Sequence, residues 1–348
     1  MEEIRINRLP LLTYRYLHTN DTPLLFEAPG QGDAPRFSDR TYVKEGGCLP
    51  DGFKGASEET VKALEKGRHY AITVPAHTSA KLAISLTASP EYPDGANAFS
   101  FRLEEGASFE LVYHLSGETK KGTLLLGAYY RLEKESSLTV SRLESGLSGT
   151  DIFDQRHIVL AEGAKADFSA AELGGEGIYI SSYALLEGDR SSMTEKAVYA
   201  GTKKQHLDFF YHMDHVGKKT KGIIDVKGAL DDESRKVFRG TLDFKKGCGG
   251  SVGDEGDYAI QLSPKTKNIS LPLLLCTEDD VQGNHASSAG QLDGNTIYFL
   301  MSRGFSLEEA RRIVIEALIR PIVDGMDESI RDEVLTELRK KLDSKENV

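Results

Sequence analysis

The middle of the chain alternates apolar and polar residues with a period of two, which is the pattern of half-buried β-strands. Residues 109–113 read FELVY and residues 138–143 read LTVSRL, so both segments are rich in β-branched or aromatic side chains. Short polar turns containing Gly or Ser separate such segments and permit sharp corners. The pattern predicts a mainly β protein built from short strands and tight turns.

These strands and turns recur at a nearly fixed interval. Three related turns begin at Leu103, Leu132 and Leu160 and read LEEGASF, LEKESSL and LAEGAKA, at intervals of 29 and 28 residues. A repeated unit of this kind cannot bury its apolar face alone and must stack on its neighbours. We therefore predict a right-handed parallel β-helix, a form of β-solenoid. An antiparallel sandwich is the alternative, disfavoured because Asn-Gly and Asp-Gly hairpin turns are scarce.

The two ends of the chain follow a helical pattern instead. An acidic start after Ser57 predicts a helix that reaches Lys66. Near the other end, Ser306 and Glu309 have the spacing of a capping box, and Pro321 is expected to kink or end the helix that follows. The apolar stripe of that helix consists of Ala310, Ile313, Val314, Ala317, Leu318 and Ile322.

A second amphipathic helix, from about residue 327, completes a helical hairpin. We expect this hairpin to close the end of the solenoid, because repeat proteins need covered ends. The chain then divides into an N-terminal mixed segment (1–70), a β-helix core (71–303) and a C-terminal helical domain (304–348).

Composition narrows the classes of function. The 348 residues carry a formal net charge of −11, which disfavours nucleic acid, since phosphate contacts need a basic face. No apolar run approaches the ~20 residues needed to span a bilayer, and the acidic N-terminus does not resemble a secretory signal. Cys48, Cys248 and Cys276 lack disulfide or metal-site spacing, and we expect a cytoplasmic location. Cys276 is expected to be buried and Cys248 to be exposed in a glycine-rich turn.

Histidines are the main candidates for chemistry. His285 lies in a small-residue segment, GNHASS, which we expect to be a turn that presents the imidazole to a cleft or an interface; a histidine bonded to backbone is the alternative. His206, Asp208 and His212 alternate and so share one face of a strand, and His215 follows. Imidazole ligates iron and zinc, so His212 and His215 are weaker metal candidates, with polar side chains in solvent as the alternative.

Motifs for nucleotide and acyl chemistry are missing from the sequence. Gly247 and Gly249 are followed by Val252, where a dinucleotide fingerprint needs its third glycine. No Gly-Lys-Ser/Thr and no Gly-x-Ser-x-Gly occurs. We therefore expect neither ATP hydrolysis nor another enzymatic activity from this chain.

Residues 278–304 carry an ordered set of short motifs, EDDVQGNHASSAGQLDGNTIYFLMSRG, in which the apolar run at 298–300 is expected to be a short strand. The motifs are Asp279-Asp280-Val281, His285, Gly290-Gln291-Leu292-Asp293, Tyr298-Phe299-Leu300 and Ser302-Arg303-Gly304. Together they resemble the C-terminal signature of the SufB/SufD family of iron–sulfur cluster assembly proteins, and the SufD branch in particular.

The resemblance implies a β-helix core and a non-catalytic role in a SufBCD-type complex. The partners would be a SufB-type paralogue, or a second copy of this chain, and a SufC-type ABC ATPase. His285 would ligate or position a transient iron–sulfur cluster shared with the partner chain. Some family members carry Cys where this chain has Gly283, so the partner would supply the thiolate. The C-terminal helices would dock SufC through the candidate residues Ile313, Ala317, Leu318 and Ile322.

Two alternatives to this interpretation stay open at the level of sequence. A SufB-like scaffold that binds the cluster itself would carry a Cys-bearing segment and an aromatic Ala-His-Thr step near this point, and neither is visible. A carbohydrate-active β-helix enzyme would need a cluster of acidic or basic residues on adjacent coils, and usually a secretory signal.

Overall fold

The computed structural model describes residues 2–13 and 15–343, which form a parallel β-solenoid of eight coils followed along the chain by helices. Each coil contributes one strand to each of two sheets. The prediction of a mainly β, parallel β-helix is confirmed. Position 14 and the last five residues of the expected C-terminal domain (304–348) lie outside the described residues.

The elements follow one another in a regular order along the chain. Before the solenoid come β1 (Glu2–Ile6), β2 (Thr22–Phe26), β3 (Arg36–Phe37), β4 (Val43–Glu45) and α1 (Glu58–Glu65). The first coils contain β5 (Arg68–Val74), β6 (Ser79–Ala88), β7 (Gly95–Leu103), β8 (Ser108–Gly117), β9 (Gly122–Leu132), β10 (Ser137–Gly146), β11 (Thr150–Leu160) and β12 (Lys165–Glu172). The later coils contain β13 (Gly177–Leu186), β14 (Ser192–Gly201), β15 (His206–His215), β16 (Lys221–Leu230), β17 (Arg235–Phe244), β18 (Ser251–Gln261), β19 (Lys267–Cys276) and β20 (Val281–Gly290). The C-terminal helices are α2 (Gly294–Ser302), α3 (Leu307–Val323) and α4 (Glu328–Asp343).

The solenoid strands divide into two sheets by alternation. Sheet I has the order β20-β18-β16-β14-β12-β10-β8-β6-β3, and sheet II has the order β19-β17-β15-β13-β11-β9-β7-β5-β4. All neighbours within β5–β20 pair in parallel, whereas β3 and β4 add antiparallel strands at the first coil. The last coil, β19 and β20, forms the opposite edge of both sheets.

The sequence repeat sets the register of the coils. Leu103, Leu132 and Leu160 pair with one another at the ends of neighbouring strands of sheet II, and all three are fully buried. The fourth residue of the turn is left-handed, with φ of 65° at Gly106 and 55° at Glu135. This conformation closes the corner between the sheets and explains why the turn favours glycine.

Charged residues lie inside the solenoid among the apolar side chains. Arg156 is 4% exposed, and its Nε donates to the carboxylate of Asp154 over 2.7 Å. Asp154 on sheet II also pairs with Arg142 on sheet I, so its carboxylate joins the two sheets across the core. Removing one member of such a group leaves a buried charge without its partner, which costs several kcal/mol, typically ~3–5.

The helical hairpin of α3 and α4 covers the outer face of sheet I. Ile315, Ile319 and Ile322 pack in one apolar cluster with outward-facing residues such as Val198 and Ala229. We expected the hairpin to close the end of the solenoid, but it lies across the side of strands β10 to β16. Small apolar residues on that face pack against the helices. The hairpin therefore does not cover the end formed by β20, which is exposed.

Local structure near the C-terminus differs from expectation at residues 298–300. The run at 298–300, expected to be a strand, lies in helix α2, whose N-terminus is capped by Asp293 accepting from the Thr296 amide over 2.8 Å. A short apolar run does not distinguish strand from helix, and the cap decides it. Pro321 lies in the last turn of α3, which continues to Val323. The helix after Ser57 and the capping box at Ser306 are confirmed.

The N-terminal segment covers the outer face of sheet II through a buried ion pair. Arg239 is 1% exposed, and its Nη1 donates to Asp208 over 2.7 Å. Its Nη2 donates to the hydroxyl of Thr22 and its Nε to the carbonyl of Thr19, each over 2.9 Å. Asn7 donates to the same Asp208 carboxylate over 2.7 Å. One guanidinium therefore fastens the β1–β2 hairpin to two coils of the solenoid.

Arg239→Met should destabilise the protein by about 3–5 kcal/mol, because it leaves the buried Asp208 carboxylate without its cation. Denaturant unfolding measures the change. Arg235→Met, on the exposed first position of the same strand, should cost less than about 0.5 kcal/mol. Equal losses in the two variants would contradict the anchoring role of Arg239.

Candidate functional site

Strand β20 is the exposed edge of sheet I. It pairs with β18 on one side, and on its other side the described residues provide no further strand. Its first residue, Val281, is half-buried, and the other nine residues of the strand are exposed. An edge of this kind offers unpaired backbone donors and acceptors to another chain.

His285 lies on this strand and not in the turn that we expected. It is placed on the face that looks into the solenoid. A β-carbon added at Gly283, two residues earlier, would come within 2.8 Å of Leu274 and 3.1 Å of Phe244, which line the core. Since alternate residues of a strand share a face, His285 points to the same interior. It is exposed because the described residues contain no later coil that covers it.

Glu255 is the residue directly beneath His285 in the register of β18 and β20. Its side chain is 1% exposed, and neither carboxylate oxygen has a hydrogen-bond partner among the described residues. Burial, together with the nearby charge of Asp257, raises the pKa of Glu255 to about 8. The carboxyl therefore stays protonated at neutral pH and becomes available as an anion when a cation approaches.

The neighbouring acid is paired, in contrast to Glu255. Lys236, fully buried, donates to Asp257 and also to the hydroxyl of Tyr199 over 3.1 Å. Burial lowers the pKa of Lys236, and Asp257 opposes that change. The end of the solenoid thus holds one neutralised acid, one unpaired acid and one exposed imidazole.

Sequence reasoning missed Glu255 although a signal for it existed. Glu255 precedes His285 by one coil, close to the 28–29-residue repeat. In an in-register parallel solenoid, residues separated by one coil lie side by side. Extending the repeat past residue 248 would therefore have identified Glu255.

Cys248 and Cys276 have the reverse of the burial that we expected for them. Cys248 is fully buried because its turn directs the side chain into the core. Cys276 is exposed because it ends β19 on the uncovered coil, where its thiol donates to the carbonyl of Glu278 over 2.9 Å. Cys48 is also exposed. Strand β20 itself contains no cysteine, so the only imidazole there, His285, has no thiol beside it on that strand.

The two weaker metal candidates lie on opposite faces of β15. His215 faces the core, where it stacks on Phe244 at 4.5 Å and its Nδ1 bonds the Thr220 hydroxyl at 2.7 Å. His212 faces outward beside Asp214. The expected partner of His212, Asp208, is instead bound to the arginine anchor described above.

The expected docking residues on α3 are only partly available. Ile322 is 1% exposed and packs against sheet I. Leu318 and Ile313 are partly buried, and Ala317 is exposed. The larger exposed apolar surface lies on and just after α2. We call it the α2 patch, formed by Tyr298, Phe299, Met301 and Phe305 at 75%, 55%, 45% and 42% exposure.

The raised pKa of Glu255 predicts a pH-dependent stability. Between the unfolded pKa of 4.5 and the folded pKa of about 8, the folded chain binds the extra proton, so stability falls as pH rises. Glu255→Gln removes this loss. It should be close to neutral at pH 5 and stabilising by about 2–5 kcal/mol at pH 8.5. Thermal unfolding at both pH values tests this, with the exposed Glu118→Gln as control. A difference between wild type and Glu255→Gln that does not change with pH would contradict it.

None of the described helices is long and apolar enough to cross a membrane.

The chain is 31% identical over 158 residues to the iron–sulfur cluster assembly protein SufD of Bacillus subtilis (strain 168), across 45% of this chain and 36% of that protein. It is 23% identical over 195 residues to SufD of Escherichia coli (strain K12), across 55% and 45% of the two chains. The matches thus span less than half the length of these two relatives.

A family model described as the SufBD core domain of SUF system FeS cluster assembly matches residues 94–318. That range begins at β7 and ends within α3, and so includes His285, Glu255 and the α2 patch. Because the match covers more than half of the chain, this protein belongs to the SufBD core family of iron–sulfur cluster assembly proteins.

Proposed function

We propose that this chain is a non-catalytic component of a SufBCD-type complex, and that its exposed end is half of a shared cluster site. The observation that carries the proposal is His285 on the uncovered strand β20, directly above the buried, unpaired carboxyl of Glu255. The chain supplies a nitrogen ligand and an oxygen ligand there, and the site is open toward a second chain.

Pairing with a SufB-type chain would proceed by continuing sheet I across the interface. The free edge of β20 offers backbone donors and acceptors, and its side chains are small enough to let a second backbone approach. A second copy of this chain would satisfy the same backbone groups. The partner would also cover the interior of the last coil, which the helical hairpin leaves open.

The iron–sulfur cluster is the cargo of this site. Cluster iron is held mainly by thiolates, and β20 carries none, so the partner chain would supply them. His285 would contribute an imidazole ligand or position one. The pKa of Glu255 would fall when iron approaches, since a nearby cation favours the carboxylate.

A SufC-type ATPase would dock on the α2 patch. Four large apolar side chains exposed within eight residues are unusual for an unoccupied surface and are typical of interface cores. Arg303 lies 5.1 Å from the ring of Phe299 and gives the patch a charged rim. The contribution of α3 to docking the SufC-type ATPase would then be limited to its exposed positions, such as Ala317.

Phe299→Asp should weaken binding of the SufC-type ATPase at least about tenfold, because it places a charge in the α2 patch. Binding is measured by titration of the purified ATPase encoded in the same genome. Thr336→Asp, an exposed position on α4, is the matched control and should bind as wild type. Equal binding by all three proteins would remove the α2 patch from the interface.

His285→Ala should leave the complex with the SufB-type chain intact and lower its reconstituted iron–sulfur content several-fold. Iron and sulfide analysis and the visible absorption of the co-purified complex measure this. His77→Ala, an exposed histidine in the first coil, is the control. Unchanged cluster content in His285→Ala would exclude a ligand role, and failure to co-purify with either partner would exclude the proposed function.

A further inference from the structure

A second group of metal-ligating side chains lies on the outer face of sheet II, away from the site at the end of the solenoid. His212 and Asp214 lie on β15, and Asp243 lies on β17. One ligand atom from each of the three lies within 4.8 Å of the other two. The side chains are 8%, 10% and 10% exposed, so the cluster is nearly buried but not sealed from solvent.

The register of the coils builds this arrangement. Asp214 pairs directly with Asp243 on the next strand, so the two carboxylates lie side by side. His212 precedes Asp214 by two residues and therefore points to the same face. Two adjacent, nearly buried carboxylates repel each other and need a cation between them.

In the described structure that cation is the ammonium group of Lys245. Its Nζ lies 3.3 Å from Asp214 and also contacts Asp243. The Lys245 side chain is 42% exposed and extends from the end of β17, so it can move into water without unpacking the core. A replaceable ammonium group thus offsets one of the two carboxylate charges.

Tyr183 and Lys54 fix the position of the ligands. The hydroxyl of Tyr183 donates to Asp214, and its ring stacks on that of His212 at 5.0 Å. Lys54, from the N-terminal segment, donates to the Tyr183 hydroxyl over 2.7 Å. Outer groups of this kind orient ligands in metal sites and tune their basicity.

We propose that His212, Asp214 and Asp243 form a binding site for a divalent first-row transition metal, which displaces the ammonium of Lys245. One imidazole nitrogen and two carboxylate oxygens suit Mn²⁺, Fe²⁺ or Zn²⁺, whereas Mg²⁺ and Ca²⁺ prefer oxygen ligands alone. Three protein ligands leave coordination positions for water or an external ligand. This site is independent of His285 and of the proposed cluster site.

If the metal displaces the ammonium of Lys245, loss of a ligand and loss of Lys245 should change the metal affinity in opposite directions. Asp243→Asn and His212→Gln each remove a ligand and should weaken metal binding by about tenfold or more. Lys245→Ala removes the competing ammonium and should tighten binding by about tenfold. Tyr183→Phe should weaken binding to a smaller extent than loss of a ligand. Isothermal titration of the full-length, metal-free chain with Zn²⁺, and Mn²⁺ titration followed by electron paramagnetic resonance, measure these changes.

His285→Ala serves as the control, because an exposed histidine elsewhere can also capture Zn²⁺; its affinity at this site should equal that of wild type. Lys245→Ala keeps the test decisive if a ligand variant fails to fold, since Lys245 is partly exposed and an increase in affinity is expected. Absence of stoichiometric binding to wild type and Lys245→Ala would overturn the proposal. So would binding that Asp243→Asn and Lys245→Ala leave unchanged, or binding that only His285→Ala removes.

Discussion

The in-register stacking of parallel coils is the constraint on which the rest of this structure depends. A strand in such a solenoid has its backbone satisfied on both edges only if a coil lies on each side of it. The repeat beginning at Leu103 and Leu132 keeps that register, with buried leucines above one another and left-handed turns at the corners. The same rule leaves the backbone groups on the outer edge of the last coil without strand partners, because the described chain supplies no coil beyond β20.

Both proposed sites follow from this register. Glu255 lies beneath His285 because the two positions are one coil apart, and Asp214 lies beside Asp243 for the same reason. The first pair faces the interior at the uncovered end, where the proposed function places a second chain. The second pair faces outward, where the ammonium of Lys245 offsets part of its charge. Stacking thus places ligating side chains next to one another, and the surrounding residues decide whether a proton or an ammonium group balances the acidic ones.

The repeat and the alternation of side chains were sufficient to predict the solenoid, and the capping signals at Ser57 and Ser306 were sufficient to predict two helix starts. The failures share a physical origin in long-range packing. The hairpin lies on sheet I because small outward side chains such as Ala229 accept it, which no local pattern reveals. Cys248 is buried and Cys276 exposed because one lies under a further coil and the other ends the last coil.

The candidate site was predictable only in part for the same reason. His285 was identified from a family resemblance, whereas its surroundings depend on a residue thirty positions earlier in the chain. The proposed function requires that a partner strand complete the free edge of β20. Amide hydrogen exchange of residues 281–290, in the isolated chain and after mixing with a SufB-type chain, tests it most directly. We expect fast exchange at the free edge of β20 in the isolated chain and strong protection in the complex. Protection confined to other parts of the chain, with residues 281–290 unchanged, would contradict the account.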